Sequence, residues 1–315
     1  MSLRYGVVGC GRVFQRYHLP VVTADEDVTL VAAFDPDVDS ARTVLRAAAE
    51  GVLVTADLEE FLTVGRPDLV AVCSPNDAHV APALAALEAG AQVLCEKPLA
   101  AEVTDARRLA RADSNGRLAV NLPYRFHELV PSFVKALPEG PYDITLTFTT
   151  AGQRLWRPVT NWYTDAARAG GGALLDLGSH ALDLLTAVFG KPRPVACQVD
   201  RLGAEERVVA KLEFAGTPAT VRIDRASRAL ALRLEAVGAD GESVVLDVKR
   251  GEVRTSSGVI VAESRQPELA AIRGFLDHAA GRPGGRVVTA AEALDLQETI
   301  ASLYGHAECV QELAF

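Results

Sequence analysis

The sequence predicts a parallel α/β domain followed by an α+β domain with a large, mostly antiparallel sheet, and three observations carry that reading. From the N-terminus to about Asn121, short apolar β-branched runs alternate with longer helical stretches, the pattern of βαβ units around a parallel sheet. From Asp143 to about Ala262 the texture changes to polar/apolar alternation broken by turn residues, as in an antiparallel sheet with one polar face. A glycine-rich turn, Gly9-Cys10-Gly11, directly follows the first apolar run. The domains are accordingly placed at residues 1–121 and 122–315.

Taken in order, strands are expected at 5–8, 28–34, 69–73, 92–95 and 117–121, with helices at 41–50 and 80–89 among the connections. In the second half, strands are expected at 142–150, 208–214, 219–224 and 231–237, and helices at 267–280 and 290–307 close the chain. Between the first and second of these later strands lies a helix carrying Asp176 and His180. No internal repeat or low-complexity tract is present.

Composition narrows the function classes. With 315 residues, 49% hydrophobic and 23% charged, the chain is expected to be a well-cored globular protein. Met1-Ser2-Leu3-Arg4-Tyr5 runs into apolar Gly6-Val7-Val8 with no basic leader and no long apolar run, so a cytoplasmic location is expected. Cys10, Cys73, Cys95, Cys197 and Cys309 are scattered without C-x-x-C spacing and read as buried small hydrophobes rather than disulfides or zinc ligands. A net charge of -9 without a basic cluster argues against nucleic acid or anionic membranes as partners.

The glycine turn suits a dinucleotide. Gly9 permits a tight turn, and Gly11 lets backbone approach a pyrophosphate held on the N-terminus of a helix opening at Arg12 and Val13, where free N–H groups favour anions. That strand–turn–helix context makes the first domain one of the Rossmann type. Phe14 occupies the third fingerprint position, where glycine or alanine is usual, and implies either a splayed helix or a ring turned into a gap. Asp35 ends the second strand, about twenty residues on, where a carboxylate accepts from an adenosine ribose hydroxyl and repels a 2′-phosphate. NAD is therefore expected, with NADP as the alternative; the other reading of Asp35-Pro36-Asp37 is a simple turn.

The segment from Gly170 to Leu185 holds Asp176 and His180 four residues apart, neighbours on one helix face, and Asp183 extends the polar stripe among leucines. A polar stripe in an apolar helix is either a histidine satisfied by a carboxylate in a core or a site. A metal centre lacks a third ligand here.

Two further blocks name a family. Val72-Cys73-Ser74-Pro75-Asn76-Asp77-Ala78-His79 resembles a T-P-N-x-x-H block, and Cys95-Glu96-Lys97-Pro98-Leu99 an E-K-P block, both of the glucose-fructose oxidoreductase/inositol dehydrogenase/MocA (Gfo/Idh/MocA) family. The Asp176/His180 segment resembles its third block, and the likeness runs from Arg4 to about Gly305. Both loops follow expected strands at their carboxyl ends, where ligands bind in open α/β sheets.

The resemblance implies an open-faced second sheet, a cis Lys97-Pro98 bond, and a cofactor faced by Ser74, Pro75, Asn76, Glu96 and Lys97, with His79 capping or packing that loop. It implies that His180 takes a hydroxyl proton as hydride leaves carbon for the nicotinamide. Lys97 would hydrogen-bond the same oxygen, and Asp176 would orient the imidazole or bind substrate. Such chemistry suits a base that titrates near the operating pH and an ammonium beside a developing oxyanion. Tyr124-Arg125-Phe126 resembles the N-x-R-F block, which makes Arg125 a candidate for cofactor or substrate. Trp162 and Asp165 fall where the family approaches its substrate, their other reading being a loop packed on the sheet. His18, His127, His278 and His306 have no argued partner.

The chain is therefore expected to be an NAD-dependent oxidoreductase acting on a secondary hydroxyl or ketone of a sugar, cyclitol or polyol, assembled as a homodimer or homotetramer through the open sheet. The alternatives are a non-catalytic nucleotide-binding sensor, and a redox-neutral enzyme of glycosidase or transhydrogenase type with tightly held NAD.

Overall fold

The computed structural model describes residues 2–46, 50–152, 160–262 and 266–313. The first six strands are β1 (Leu3–Val8), β2 (Val28–Phe34), β3 (Leu53–Thr55), β4 (Leu69–Val72), β5 (Gln92–Glu96) and β6 (Leu118–Asn121). The next eight are β7 (Tyr142–Thr149), β8 (Arg193–Val199), β9 (Arg207–Phe214), β10 (Thr217–Asp224), β11 (Ala231–Gly238), β12 (Ser243–Asp247), β13 (Glu252–Thr255) and β14 (Gly258–Val261). Two short ones, β15 (Val288–Thr289) and β16 (Ala307–Cys309), complete the set.

One sheet has the order β15-β6-β5-β4-β1-β2-β3, parallel throughout except for β15, which pairs antiparallel with β6. Its inner strands read as unbroken apolar runs because helices cover both faces; Val70, Ala71 and Val72 are all fully buried. The order reverses direction between β1 and β4, and that switch point opens a crevice at their carboxyl ends. The helix Pro267–Ala279, far along the chain, returns to this sheet and buries Ile272, Phe275 and Leu276 in a core shared with Tyr5 and Val7.

The second sheet has the order β14-β13-β12-β11-β7-β10-β9-β8-β16 and is antiparallel but for β10 with β7 and β16 with β8. Ile144, Leu146 and Phe148 of β7 and Val221 and Ile223 of β10 point into the core, while Thr145, Thr147 and Arg222 alternate onto the other, open face.

The helix Ala173–Phe189 lies on the covered face of that sheet. The stretch Ala166–Phe189 is apolar and long enough to cross a membrane by length and composition. Here it is a core element: Leu174, Leu182, Leu184 and Leu185 are fully buried, each contributing about 1.5–3 kcal/mol. Its glycine-rich approach has a steric reason. A Cβ on Gly172 would fall 2.3 Å from the Glu205 carbonyl oxygen, and one on Gly170, at φ +81°, would fall 2.2 Å from that of Ala101. The chain is thereby pressed into contact with both segments before the helix begins.

The helix expected at 41–50 is observed as Val38–Leu45, started early by Asp37, whose carboxylate accepts from Ser40 N; residues 47–49 lie outside the described residues. The closing helix Ala290–Gly305 starts on a reciprocal Thr289/Glu292 capping box.

Candidate active site

A cavity of about 570 Å³ lies between the carboxyl ends of the parallel strands and the covered face of the second sheet, within the size range of small-molecule sites. Ser74, Asn76, His79, Glu96 and Lys97 line it from the first sheet, and Trp162, Asp176 and His180 from the other side.

The fingerprint turn is built as its glycines require. Gly9 has φ +91°, and a Cβ there would sit 2.8 Å from Cys73 C and Ser74 N, so the turn abuts the loop after β4. A Cβ on Gly11 would meet nothing within 4 Å, so space for a ligand's close approach lies directly over that backbone. The first N–H groups of the helix that follows have no acceptor within it, and this donor-rich, open turn fits a dinucleotide pyrophosphate. Val13 lines the cavity, whereas Arg12 is exposed to solvent outside it. Of the two expectations for Phe14 the structure shows the second: its ring is fully buried in the core, and the chain from Phe14 to His18 winds as a wider π-helical turn.

Asp35 is held firmly, with Oδ2 accepting from Cys10 N at 2.8 Å and Oδ1 from Asp37 N at 2.9 Å. It thus contributes to the turn after β2 and at the same time fixes the glycine turn beside it.

The two loop blocks are tied together by His79. It is fully buried, with Nδ1 at 2.9 Å from the Pro98 carbonyl and Nε2 at 3.0 Å from that of Ser74. Burial lowers its pKa, although those two carbonyls oppose the shift. Pro75 begins the short helical turn Asn76–Ala78, which Ser74 Oγ closes by donating to Ala78 O. Asn76 Nδ2 donates to Ala169 O at 2.8 Å, joining this loop to the segment ahead of the long helix. The Lys97-Pro98 bond is cis.

Lys97 Nζ donates to Asp176 Oδ1 at 2.6 Å and to the Asp176 carbonyl at 3.2 Å. Tyr163 OH donates to Asp176 Oδ2. Burial pushes the Asp176 carboxyl up, but Lys97, Tyr163 and Arg225 outweigh it and hold the pKa below the usual range. The polar stripe of the helix is therefore divided among partners. Asp176 faces Lys97, while His180 Nδ1 is buried with no hydrogen-bond partner among the described residues. The imidazole packs 4.9 Å from the Tyr124 ring, and burial, then the positive charges of Lys97 and Lys249, depress its pKa well below the ordinary value. It is neutral near pH 7.

Asp183, the third member of the stripe, is committed elsewhere: Arg125 Nε donates to both its oxygens at 3.0 Å and Arg125 Nη1 to Glu292 at 2.7 Å. Burial still pushes the Asp183 carboxyl up, to about 6. Arg125 is not among the residues lining the cavity. Asp165 also lies off it, capping the helix Ala166–Ala169 by accepting from Ala167 N at 3.0 Å.

Several participants carry no motif. His18, without an argued partner in the sequence, accepts or donates at both ring nitrogens, 2.9 Å from Tyr5 OH and 2.8 Å from Glu96 Oε1. Asn121 Nδ2 donates to the same Glu96 oxygen at 2.7 Å. Burial raises the Glu96 carboxyl, but His18, Asn121 and Lys97 together bring it below its usual range. Ligand-type atoms of His18, Cys73 and Glu96 lie within 4.8 Å of one another, and both His18 nitrogens are engaged, by Tyr5 OH and Glu96. On the opposite wall Lys249 Nζ donates to Tyr124 OH at 2.6 Å, and Tyr124 OH to Glu268 at 3.1 Å.

Comparison with known proteins agrees with this architecture. Residues 3–121 match the model of the GFO_IDH_MocA oxidoreductase family, NAD-binding Rossmann fold, and residues 143–244 match the GFO/IDH/MocA C-terminal domain. D-glucoside 3-dehydrogenase of Escherichia coli (strain K12) is 33% identical over 195 residues, 60% of this chain and 55% of the relative. Inositol 2-dehydrogenase 1 of Saccharopolyspora erythraea is 38% identical over 145 residues, 44% of this chain and 42% of the relative. The chain thus spans about half the length of the curated relatives it matches. Among solved structures, GenD2 from gentamicin A biosynthesis in complex with NAD superposes with a TM-score of 0.80 at 28% identity, covering 97% of this chain and 94% of that one. With both family models matched in order and the whole fold shared, the chain belongs to the Gfo/Idh/MocA oxidoreductase family.

Proposed function

We propose that the protein is an NAD-dependent oxidoreductase that moves a hydride between nicotinamide and a secondary hydroxyl or ketone of a sugar, cyclitol or related polyol. The observation that carries the reading is the Lys97–Asp176 ion pair at 2.6 Å with His180 one helical turn beyond it, all lining one cavity. A bound nicotinamide supplies the hydride acceptor or donor. GenD2 is crystallised with NAD, and the relatives named above act on a glucoside and on inositol, which supports the cofactor and the substrate class.

The residues have separable roles in this reading. Lys97 donates a hydrogen bond to the substrate oxygen and stabilises negative charge on it. Asp176 keeps that ammonium in place. His180, neutral and with a free Nδ1 lone pair or proton, takes the hydroxyl proton during oxidation and returns it during reduction. Gly9, Gly11 and Val13 form the turn that receives the pyrophosphate, and Asp35 accepts from the adenosine ribose, which favours NAD over NADP. Trp162 contributes an apolar face for a sugar ring. The open face of the nine-stranded sheet is the surface offered for self-association.

The test is absorbance of reduced nicotinamide during incubation with NAD or NADP and a panel of sugars and cyclitols. Turnover in the wild type that is lost in Lys97→Ala and His180→Ala supports the reading. Tight cofactor binding with no turnover on any member would point instead to a sensor or a redox-neutral enzyme.

A further inference from the structure

Beside the Lys97–Asp176 pair stands a second cation that the proposed hydride transfer does not use. Arg225 follows the last residue of β10, lines the cavity, and its side chain is only 5% exposed. Its Nη1 lies 3.9 Å from Asp176 Oδ2, beyond hydrogen-bond length, and its Nε has no partner among the described residues. The guanidinium carbon lies 5.3 Å from the Tyr163 ring centroid, a cation–π contact that fixes its plane without neutralising it. Room for the arginine is made by Gly152, at φ +37°, where a Cβ would fall 2.5 Å from Arg225 Cγ.

The local pairing is uneven. Asp176 is the one carboxylate within 4 Å of Arg225 among the described residues, and it is held more closely by Lys97, which Glu96 also attracts. The cavity's other buried amine, Lys249, has its own counter-ion in Glu268 at 3.4 Å. A buried guanidinium with a single, distant and shared counter-ion is costly, and its planar fork matches an oxyanion closely.

We infer that the substrate carries an anionic substituent, a carboxylate or a phosphate, that docks on Arg225 within one ring's width of the reacting carbon. The inference rests on the oxidoreductase reading for which carbon reacts. The class of substrate is then an acidic sugar or cyclitol rather than a neutral one. Tyr163, which touches both Asp176 and Arg225, links the anion subsite to the proposed catalytic pair.

The experiment compares neutral sugars and cyclitols with their own carboxylate and phosphate counterparts, D-glucose against D-glucuronate and D-glucose 6-phosphate among them, by kcat/KM with NAD. One charge-assisted hydrogen-bonded pair corresponds to roughly ten- to hundredfold in that ratio. The wild type is expected to favour an acidic member by that factor, mainly through KM, and whichever acid is favoured identifies the group. Arg225→Met should collapse the acidic-to-neutral ratio toward one, with Arg225→Lys intermediate, in variants whose melting temperature shows them folded. Wild-type ratios at or below one overturn the inference whether or not the variants fold. Absence of turnover with every sugar counts against the oxidoreductase reading instead; the inference is then decided by calorimetric titration of the NAD-saturated protein with the same pairs, where equal affinities overturn it.

Discussion

Lys97 Nζ and Asp176 Oδ1 stand 2.6 Å apart although 79 residues separate them in sequence, so the loop after β5 and the long helix of the second sheet meet in one ion pair. Both side chains are mostly buried, at 18% and 15% exposure. Removing Asp176 leaves Lys97 and Arg225 facing each other in a low-dielectric site, whereas removing Lys97 leaves Asp176 with Tyr163 and the more distant Arg225. Lys97→Ala is expected to cost about 10²–10⁴-fold in kcat and about 1.5–3 kcal/mol of stability. Steady-state kinetics and thermal melts together check this: Lys97→Ala with near-normal kcat would remove the residue from the chemistry. A Lys97→Met/Asp176→Leu double variant should be more stable than Asp176→Leu alone, in which Lys97 and Arg225 face each other, while remaining inactive.

His180 sets the pH profile. Its pKa is lowered by burial first and by Lys97 and Lys249 next, so the neutral imidazole persists below the ordinary value of about 6.5. The acid limb of kcat/KM for oxidation should therefore fall below pH 6.5; a limb above 7 that moves in His180→Gln would contradict the assignment. Stability carries the same sign. Above about pH 6.5 both folded and unfolded histidine are neutral, and as pH falls from there toward the depressed folded pKa the unfolded chain takes up the proton and the native state loses stability. His180→Gln should flatten that decline in urea titrations at several pH values.

How much of this was legible in the sequence depends on whether a residue's partner is local. The helix Ala173–Phe189 and strand β2 are set by apolar periodicity, and their expected positions agree with the structure. Strands β3, β15 and β16 are only two or three residues long and acquire their pairing from neighbours, which no local pattern encodes. The same holds in the site. Lys97, Asp176 and His180 stand in recognisable blocks, whereas Arg225 and Lys249 are ordinary charged residues until the sheet folds them inward. Spacing also misleads where two carboxylates share a face: Asp176 and Asp183 lie on one stripe, yet only Asp176 reaches the cavity, because Arg125 takes the other.

Asp35 makes a separable prediction because it has two duties. Its Oδ2 holds Cys10 N at 2.8 Å, so Asp35→Ala should loosen the glycine turn as well as remove the negative charge that opposes a 2′-phosphate. We expect the NAD-to-NADP preference to fall by roughly tenfold to hundredfold, with stability reduced by about 1–2 kcal/mol for the lost charge-assisted bond. Asp35→Asn, whose single amide oxygen can accept from Cys10 N but not also from Asp37 N, should retain part of the stability while still relaxing the preference. An unchanged preference in both variants would mean that the carboxylate serves the turn alone.

His18 is the residue whose removal best tests whether the buried network behind Lys97 is structural. It bridges Tyr5 OH and Glu96 Oε1, and Glu96 immediately precedes the lysine. Burial alone would drive the Glu96 carboxyl upward; His18 heads the interactions that bring it below its usual range, followed by Asn121 and Lys97. Because the folded pKa is depressed, Glu96 contributes stability above its unfolded pKa that is lost as pH falls through the folded one. His18→Ala should lower the stability at pH 7 by about 1.5–3 kcal/mol and shift acid unfolding to higher pH. Adding Glu96→Gln to His18→Ala should cost much less than the sum of the two single changes, since the buried charge is then gone. Additive losses in that cycle would show that His18 acts through packing beside Tyr5 rather than through the carboxylate.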